Sequence, residues 1–415
     1  MTNKSIQYVD NPLQQPIYIG SLCIPNRLVR SATHENMADA GGIVTPEYQK
    51  LYEKLSQGGT GLLITGHFYV DKHGRTIQGM AGADDDQQIP PLRSVTEYVH
   101  QQKKCIIAQL NHAGLKASPE IGFQKRIIAP SKTYKAHALT SAEIDSIVEA
   151  FGKSARRLYS AGFDGIQLHA AHTFLIAQFL SKRINHRRDG YGGSLRNRQR
   201  FLLEVFSCVR HHLPASVPII VKLDTRAASY ASIPPLIPLI SFSEALDTAK
   251  QLERQGCDAL ELSCGFFATR GAISYKTSFY AYYMRQQKPF HAKASAALLT
   301  PVDLIMNHTQ WFKPHHNLKH ISIFKQQVSI PILAGSCFRD PSVMKQVINN
   351  NQADMICFSR PLIHNPRFSQ EILQGSTQPS GCLNCNLCLS MLPSGRPLRC
   401  YYGEPPKKSE FISRM

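Results

Sequence analysis

An α/β fold, a single (β/α)8 TIM barrel with a C-terminal cysteine-rich extension, is what this 415-residue sequence predicts. Eight short apolar runs recur along the chain, the segments between them are long enough for crossover helices, and several runs open through a glycine. Apolar runs without alternation are what parallel strands look like when both faces are covered, and parallel neighbours require a crossover. A doubly wound sheet would have fewer strands and a glycine-rich phosphate loop after the first, whereas SATHENM follows the first run here.

In chain order the runs are Leu28–Ala32, Gly61–Thr65, Cys105–Leu110, Gly165–Leu168, Pro218–Leu223, Ala259–Leu262, Ile330–Leu333 and Met355–Phe358. The stretch Ala142–Ala161 predicts one crossover helix. Gly59-Thr60-Gly61, Gly162-Phe163-Asp164-Gly165 and Gly256-Cys257-Asp258 read as turns where a left-handed glycine ends a helix before the next strand. Two crossovers are overlong, Asn111 to Gly162 and Cys264 to Ile330, which predicts extra structure over the active face. The second holds aromatic and histidine-rich stretches, SFYAYYMRQ and WFKPHHNLKH, read as an insertion with no ligands assigned. The expected boundaries are 10–375 for the barrel and 376–415 for the extension.

Composition narrows the function. Hydrophobic and charged fractions of 43% and 18% suit a packed, enzyme-sized body. No stretch approaches the ~18 apolar residues of a membrane helix, and no basic flank precedes an apolar run at the start, so the expectation is a cytoplasmic protein without a membrane partner. The net charge of +18 is scattered. Its short clusters, Lys182–Arg183, Arg187–Arg188 and Lys407–Lys408, sit in no nucleic-acid motif, so a small-molecule partner is expected rather than DNA or RNA. Eleven cysteines in a chain without a secretion signal point to reduced thiols or ligands. Oligomeric state is not legible.

In a barrel enzyme the chemistry sits where the strands end. The residues following the runs are Thr33 and His34, Gly66 and His67, Gln109 with His112, His169 with His172, Lys222, Ser263, Gly335 with Ser336, and Ser359 with Arg360. Gly335-Ser336 offers accessible backbone amides beside the Arg360 guanidinium one strand on, a pattern that suits a phosphate. Lys222 could supply the cation that a flavin ring needs on reduction, or pair with Asp224 or Glu261. Gln109 carries the donor and acceptor of an amide-edged ring. His169-Ala170-Ala171-His172 places two imidazoles to hydrogen-bond one substrate oxygen; zinc is the alternative, with no third ligand nearby.

Together, NRLVRSATHENMADAGG, GLLITGHFYV, AQLNHAG, GFDGIQLHAAHTFLIAQFLSKRINHRRDGYGGSLRNRQRF and FSRPLIHNP resemble the ordered motifs of the old yellow enzyme, or NADH:flavin oxidoreductase, family. The resemblance runs from about Ile17 to Phe368. It implies a barrel that holds FMN, accepts hydride from NADH or NADPH, and passes it to an electrophilic small molecule such as an activated alkene or quinone. It also implies Ser31, Ala32, Thr33, His34, Gly66, Gln109 and Lys222 around the flavin, Gly335, Ser336, Ser359 and Arg360 at the phosphate, and His169 and His172 as catalytic binders of the substrate oxygen. One position departs. Where the family commonly has a proton-donating tyrosine, two residues after the second histidine, this chain has Phe174. That leaves open a flavin-dependent amine demethylase or dehydrogenase, or an FMN-binding protein with lost catalysis.

Cys382-x2-Cys385-x2-Cys388-x11-Cys400 follows the barrel, and four thiolates so spaced are a strong ligand signal. The set resembles the four-iron four-sulfur site of larger family members such as 2,4-dienoyl-CoA reductase, with one residue fewer between the second and third cysteines. Structural zinc and free thiols are the alternatives. Only 15 residues follow Cys400, so hydride is expected to reach FMN directly rather than through a further flavin domain.

Overall fold

The computed structural model describes residues 11–118, 127–225, 227–228, 238–264, 315–384, 387–392 and 395–402. Eight parallel strands close into a barrel: β1 (Leu28–Arg30), β2 (Leu62–Tyr69), β3 (Cys105–Asn111), β4 (Gly165–Ala170), β5 (Ile219–Asp224), β6 (Ala259–Ser263), β7 (Ile332–Gly335) and β8 (Met355–Phe358). β8 pairs back onto β1 through Ile356 opposite Leu28. Every expected run forms a strand, although β2 continues past a bulge to Tyr69 and β7 starts two residues later than the apolar pattern suggests.

Inward residues of the lower barrel form their own apolar cluster: Val29, Leu62, Ile64, Ile107, Ile220, Ala259, Leu333 and Met355. Ile19 and Ile24, from the hairpin Ile17–Ile19/Leu22–Ile24, join it and plug this end. Outward residues pack against the helices in a second cluster, with Phe151, Phe179, Phe201 and Phe206 among its largest members. Each such side chain, fully buried, contributes about 1.5–3 kcal/mol.

The crossover helix expected at Ala142–Ala161 spans Ser141–Ser160, opened by a capping box in which Thr140 and Glu143 exchange hydrogen bonds. Gly59, Gly162 and Gly256 all adopt the left-handed conformation, φ +86°, +90° and +83°. The aspartate after such a turn has a repeated job. Asp164 accepts from Ile106 N (2.7 Å), Asp258 from Ile219 N (2.8 Å) and Asp354 from Ile332 N (2.8 Å), and each holds a basic partner from a neighbouring helix: His100, Arg210 and Lys325.

The overlong segment after β3 carries a two-stranded sheet, Ile127–Ala129 with Ala136–Ala138, before its helix. Most of the Cys264 to Ile330 segment, including SFYAYYMRQ and the start of WFKPHHNLKH, lies outside the described residues, as does Lys407–Lys408. Among the described residues, no helix is long and apolar enough to cross a membrane.

Candidate active site

At the C-terminal mouth, inward positions turn polar and join one network. Gln109 Nε2 donates to Gln167 Oε1 (2.6 Å), and Gln167 Nε2 donates to Glu261 Oε2 (2.8 Å). Glu261 Oε1 accepts from Ser31 Oγ and pairs with Lys222 Nζ at 2.9 Å, while Lys222 also donates to Ser31 Oγ at 2.9 Å. All four long side chains are buried. Lys222 is therefore paired, with Glu261 rather than Asp224. Its charge is fixed at the base of the mouth, where breaking the pair would strand a buried carboxylate.

Above this network stand four imidazoles. His34 meets His67 edge-on (centroids 4.9 Å apart), His67 lies 6.0 Å from His169, and His169 stands perpendicular to His172 at 5.0 Å. Phe174 packs against His169 (4.7 Å) and His67 (5.0 Å). Asp224 positions the pair: it accepts from His172 N at 2.7 Å, and His172 Nε2 lies 2.7 Å from Ser263 Oγ. His172 and Thr173 are both left-handed, φ +57° and +60°, which costs on the order of 1–3 kcal/mol apiece. Such strain persists where its surroundings over-determine it.

Burial holds these rings neutral. It lowers His34 to about 4, and it pulls His67, His169 and His172 well below the ordinary histidine value, helped by the positive charges of Lys116 and Lys222. A neutral imidazole keeps one donor and one acceptor for a ligand. His112 is no part of this group, because its ring packs against Gly74 and its Nδ1 accepts from Gly114 N.

Gly335, Ser336, Ser359 and Arg360 gather at the ends of β7 and β8. A Cβ on Gly335 would come 2.8 Å from Leu262 O, so only glycine fits this crossing. Ser359 Oγ donates to Ser31 O at 2.7 Å, and Arg360 Nη2 lies 3.5 Å from Cys337 Sγ. Ser336 Oγ, His169 Nδ1 and His34 Nε2 are buried without protein partners. Orphaned groups of this kind at one mouth mark a ligand site. With the Arg360 guanidinium and the Lys222 ammonium they form a donor set whose chemistry fits a flavin mononucleotide.

Gly66 N donates to Glu35 Oε1 at 2.7 Å. Glu35 also accepts from Tyr52 Oη (2.5 Å) and Arg30 (3.1 Å), forming a buried clamp that fixes Thr33 and His34 in the loop after β1. Sequence reading missed Arg30, Glu35, Tyr52 and Gln167, and considered Glu261 only as a partner for Lys222.

The cysteine-rich segment lies beside Arg360 at the end of β8. Cys382, Cys388 and Cys400 line one small cavity with Arg360 and His364, and Cys400 Sγ lies 3.7 Å from His364 Nδ1. Cys385 lies outside the described residues. The segment is anchored to the clamp loop through Leu398 N to Glu35 O (2.8 Å) and Asn36 Nδ2 to Arg396 O (2.8 Å).

Residues 12–233 and 266–378 match the sequence profile of the NADH:flavin oxidoreductase / NADH oxidase family. The chain is 29% identical over 399 residues to a metal reductase of Desulforamulus reducens, covering 94% of this chain and 53% of that protein. It is 28% identical over 413 residues to a cinnamate reductase of Clostridium sporogenes, covering 94% and 57%. It thus spans about half the length of these curated relatives. A solved complex of 2-naphthoyl-CoA reductase shares the fold, with a TM-score of 0.80 at 21% identity over 94% of this chain and 56% of that one. The motifs, the closed barrel and the profile coincide over most of the sequence, and the chain belongs to the NADH:flavin oxidoreductase / NADH oxidase family.

Proposed function

We propose that this protein is an FMN-dependent oxidoreductase that takes hydride from NADH or NADPH and delivers it to an electrophilic small molecule, an activated alkene or a quinone. The observation carrying the reading is the pair His169 and His172, both held neutral, the first buried and the second half-buried, facing the same mouth as the Lys222–Glu261 network and the unpartnered Ser336 hydroxyl. FMN, when bound, supplies the reversible hydride carrier. Ser31, Ala32, Thr33, His34, Gly66, Gln109 and Lys222 would hold its ring, and Gly335, Ser336, Ser359 and Arg360 its phosphate. His169 and His172 would donate N–H groups to the substrate oxygen and stabilise the charge that develops there.

Residues 376–415 are proposed as an extension in which Cys382, Cys385, Cys388 and Cys400 hold a four-iron four-sulfur cluster, with zinc as the alternative that a metal assay of anaerobically purified protein separates. The test of function is an anaerobic acceptor panel. NAD(P)H-dependent reduction of enones or quinones is expected; flavin reduction by small amines but by neither nicotinamide would overturn the reading in favour of an amine dehydrogenase.

A further inference from the structure

Reducing an activated alkene adds a hydride to the β-carbon and a proton to the α-carbon, and the proton comes from solvent or from an acidic side chain at the mouth. Among the described residues at the mouth, Phe174 has no proton to give, the Thr173 hydroxyl donates to the His172 carbonyl, and the Lys222 ammonium is held by Glu261 and Ser31. The neutral imidazoles of His169 and His172 are very weak acids, suited to holding oxygen rather than protonating carbon.

We infer that Lys116 is the group that protonates the α-carbon, a step that rests on the reductase reading above. Lys116 ends the short turn Gly114–Lys116 after β3. Its Nζ donates to the carbonyl of His172 and lies 4.5 Å from the centroid of the Phe174 ring, whose surroundings include His67 and His169. Phe174 is therefore the floor on which the ammonium rests, a cation–π contact in a desolvated place. Burial lowers Lys116 to about 8, opposed by the nearby Asp224 carboxylate, so the ammonium is a usable acid near neutral pH. His67, His169 and His172 face the same charge and stay neutral beside it.

In the balanced step, the hydride carried from NAD(P)H forms the new C–H bond at the β-carbon. The alkene π electrons move toward the oxygen held by His169 and His172. Collapse of that charge takes a proton from Lys116 Nζ to the α-carbon, and the neutral amine is reprotonated from water. The sum is alkene plus NAD(P)H plus a proton giving the saturated product plus NAD(P)+.

The test compares the holoprotein with Lys116→Met and Lys116→Arg, the latter keeping the charge but binding its proton too tightly to donate. The ratio of alkene to quinone turnover is expected to fall about 100-fold or more in both variants. Wild-type alkene turnover should decline as pH rises through about 8, and mass-spectrometric amine labelling of Lys116 should titrate in the same range. An unchanged ratio, or a Lys116 that labels like an ordinary surface lysine, overturns the assignment alone. A wild-type protein that reduces neither acceptor overturns the reductase reading with it.

Discussion

At the N-terminal end of the barrel Asp164, Asp258 and Asp354 repeat one device, a carboxylate gripping an N–H at the start of the preceding strand and a basic side chain from a helix. At the C-terminal mouth the strands contribute unlike groups joined to one another: Ser31, Gln109, Gln167, Lys222 and Glu261, a hydroxyl, two carboxamides, an ammonium and a carboxylate, form one connected chain of hydrogen bonds. The repeated end can lose one member and leave the other two intact. The mouth has no spare copy, so a change there spreads through the network or removes a chemical step. On the proposed reading, stability is distributed at one end and function is concentrated at the other.

The sharpest challenge to this contrast is Lys222→Met, which leaves Glu261 buried and uncompensated. It should cost about 3–5 kcal/mol in denaturant unfolding, and pairing it with Glu261→Met should recover much of that loss without restoring FMN affinity. Next in size, His169→Ala with His172→Ala should lower kcat/KM about 10²–10³-fold while the protein still takes up FMN, read from its visible spectrum. At the other end Asp258→Ala frees one buried N–H and one arginine. It should cost about 1–3 kcal/mol in urea and leave turnover of the folded protein unchanged. A comparable loss of turnover would erase the distinction between the ends.

The dependence on pH also separates the two ends, which differ in sign. The mouth histidines have folded values below the unfolded one, about 6.5, so only the unfolded chain takes up protons as pH falls from there. Stability should drop with acid by up to about 1.4 kcal/mol per pH unit for each histidine still neutral in the fold. His100 is raised, chiefly by its hydrogen bond to Asp164, so its contribution is full below about 6.5 and is lost as pH rises through its folded value. His100→Gln should therefore weaken the protein more at pH 6 than at pH 8 in chemical denaturation.

The eight strands were legible as short, predominantly apolar runs, and the turns because glycine marks a left-handed end. The mouth residues at strand ends were legible for the same reason: polarity appears where an apolar run stops. Gln167 and Glu261 were not, since they lie inside GIQLHA and ALELS, where only the inward parity of the closed barrel makes a polar residue part of the site. Arg30, Glu35 and Tyr52 come together from β1, its loop and the following helix, a meeting that no local pattern announces. The stretch NHRRDGYGGS carried much of the family resemblance yet is largely scaffold. Asn185 ties the carbonyls of Phe179 and Tyr191, and Arg187 ties Pro130 and Leu139 while pairing with Asp189.

The central claim is that this mouth holds FMN and receives hydride from a nicotinamide, and anaerobic titration of the purified protein with NADH and NADPH tests it most directly. The account predicts a visible flavin spectrum that bleaches with at least one of the two nucleotides. A colourless protein that cannot take up FMN, or a bound flavin that neither nucleotide reduces, would contradict it.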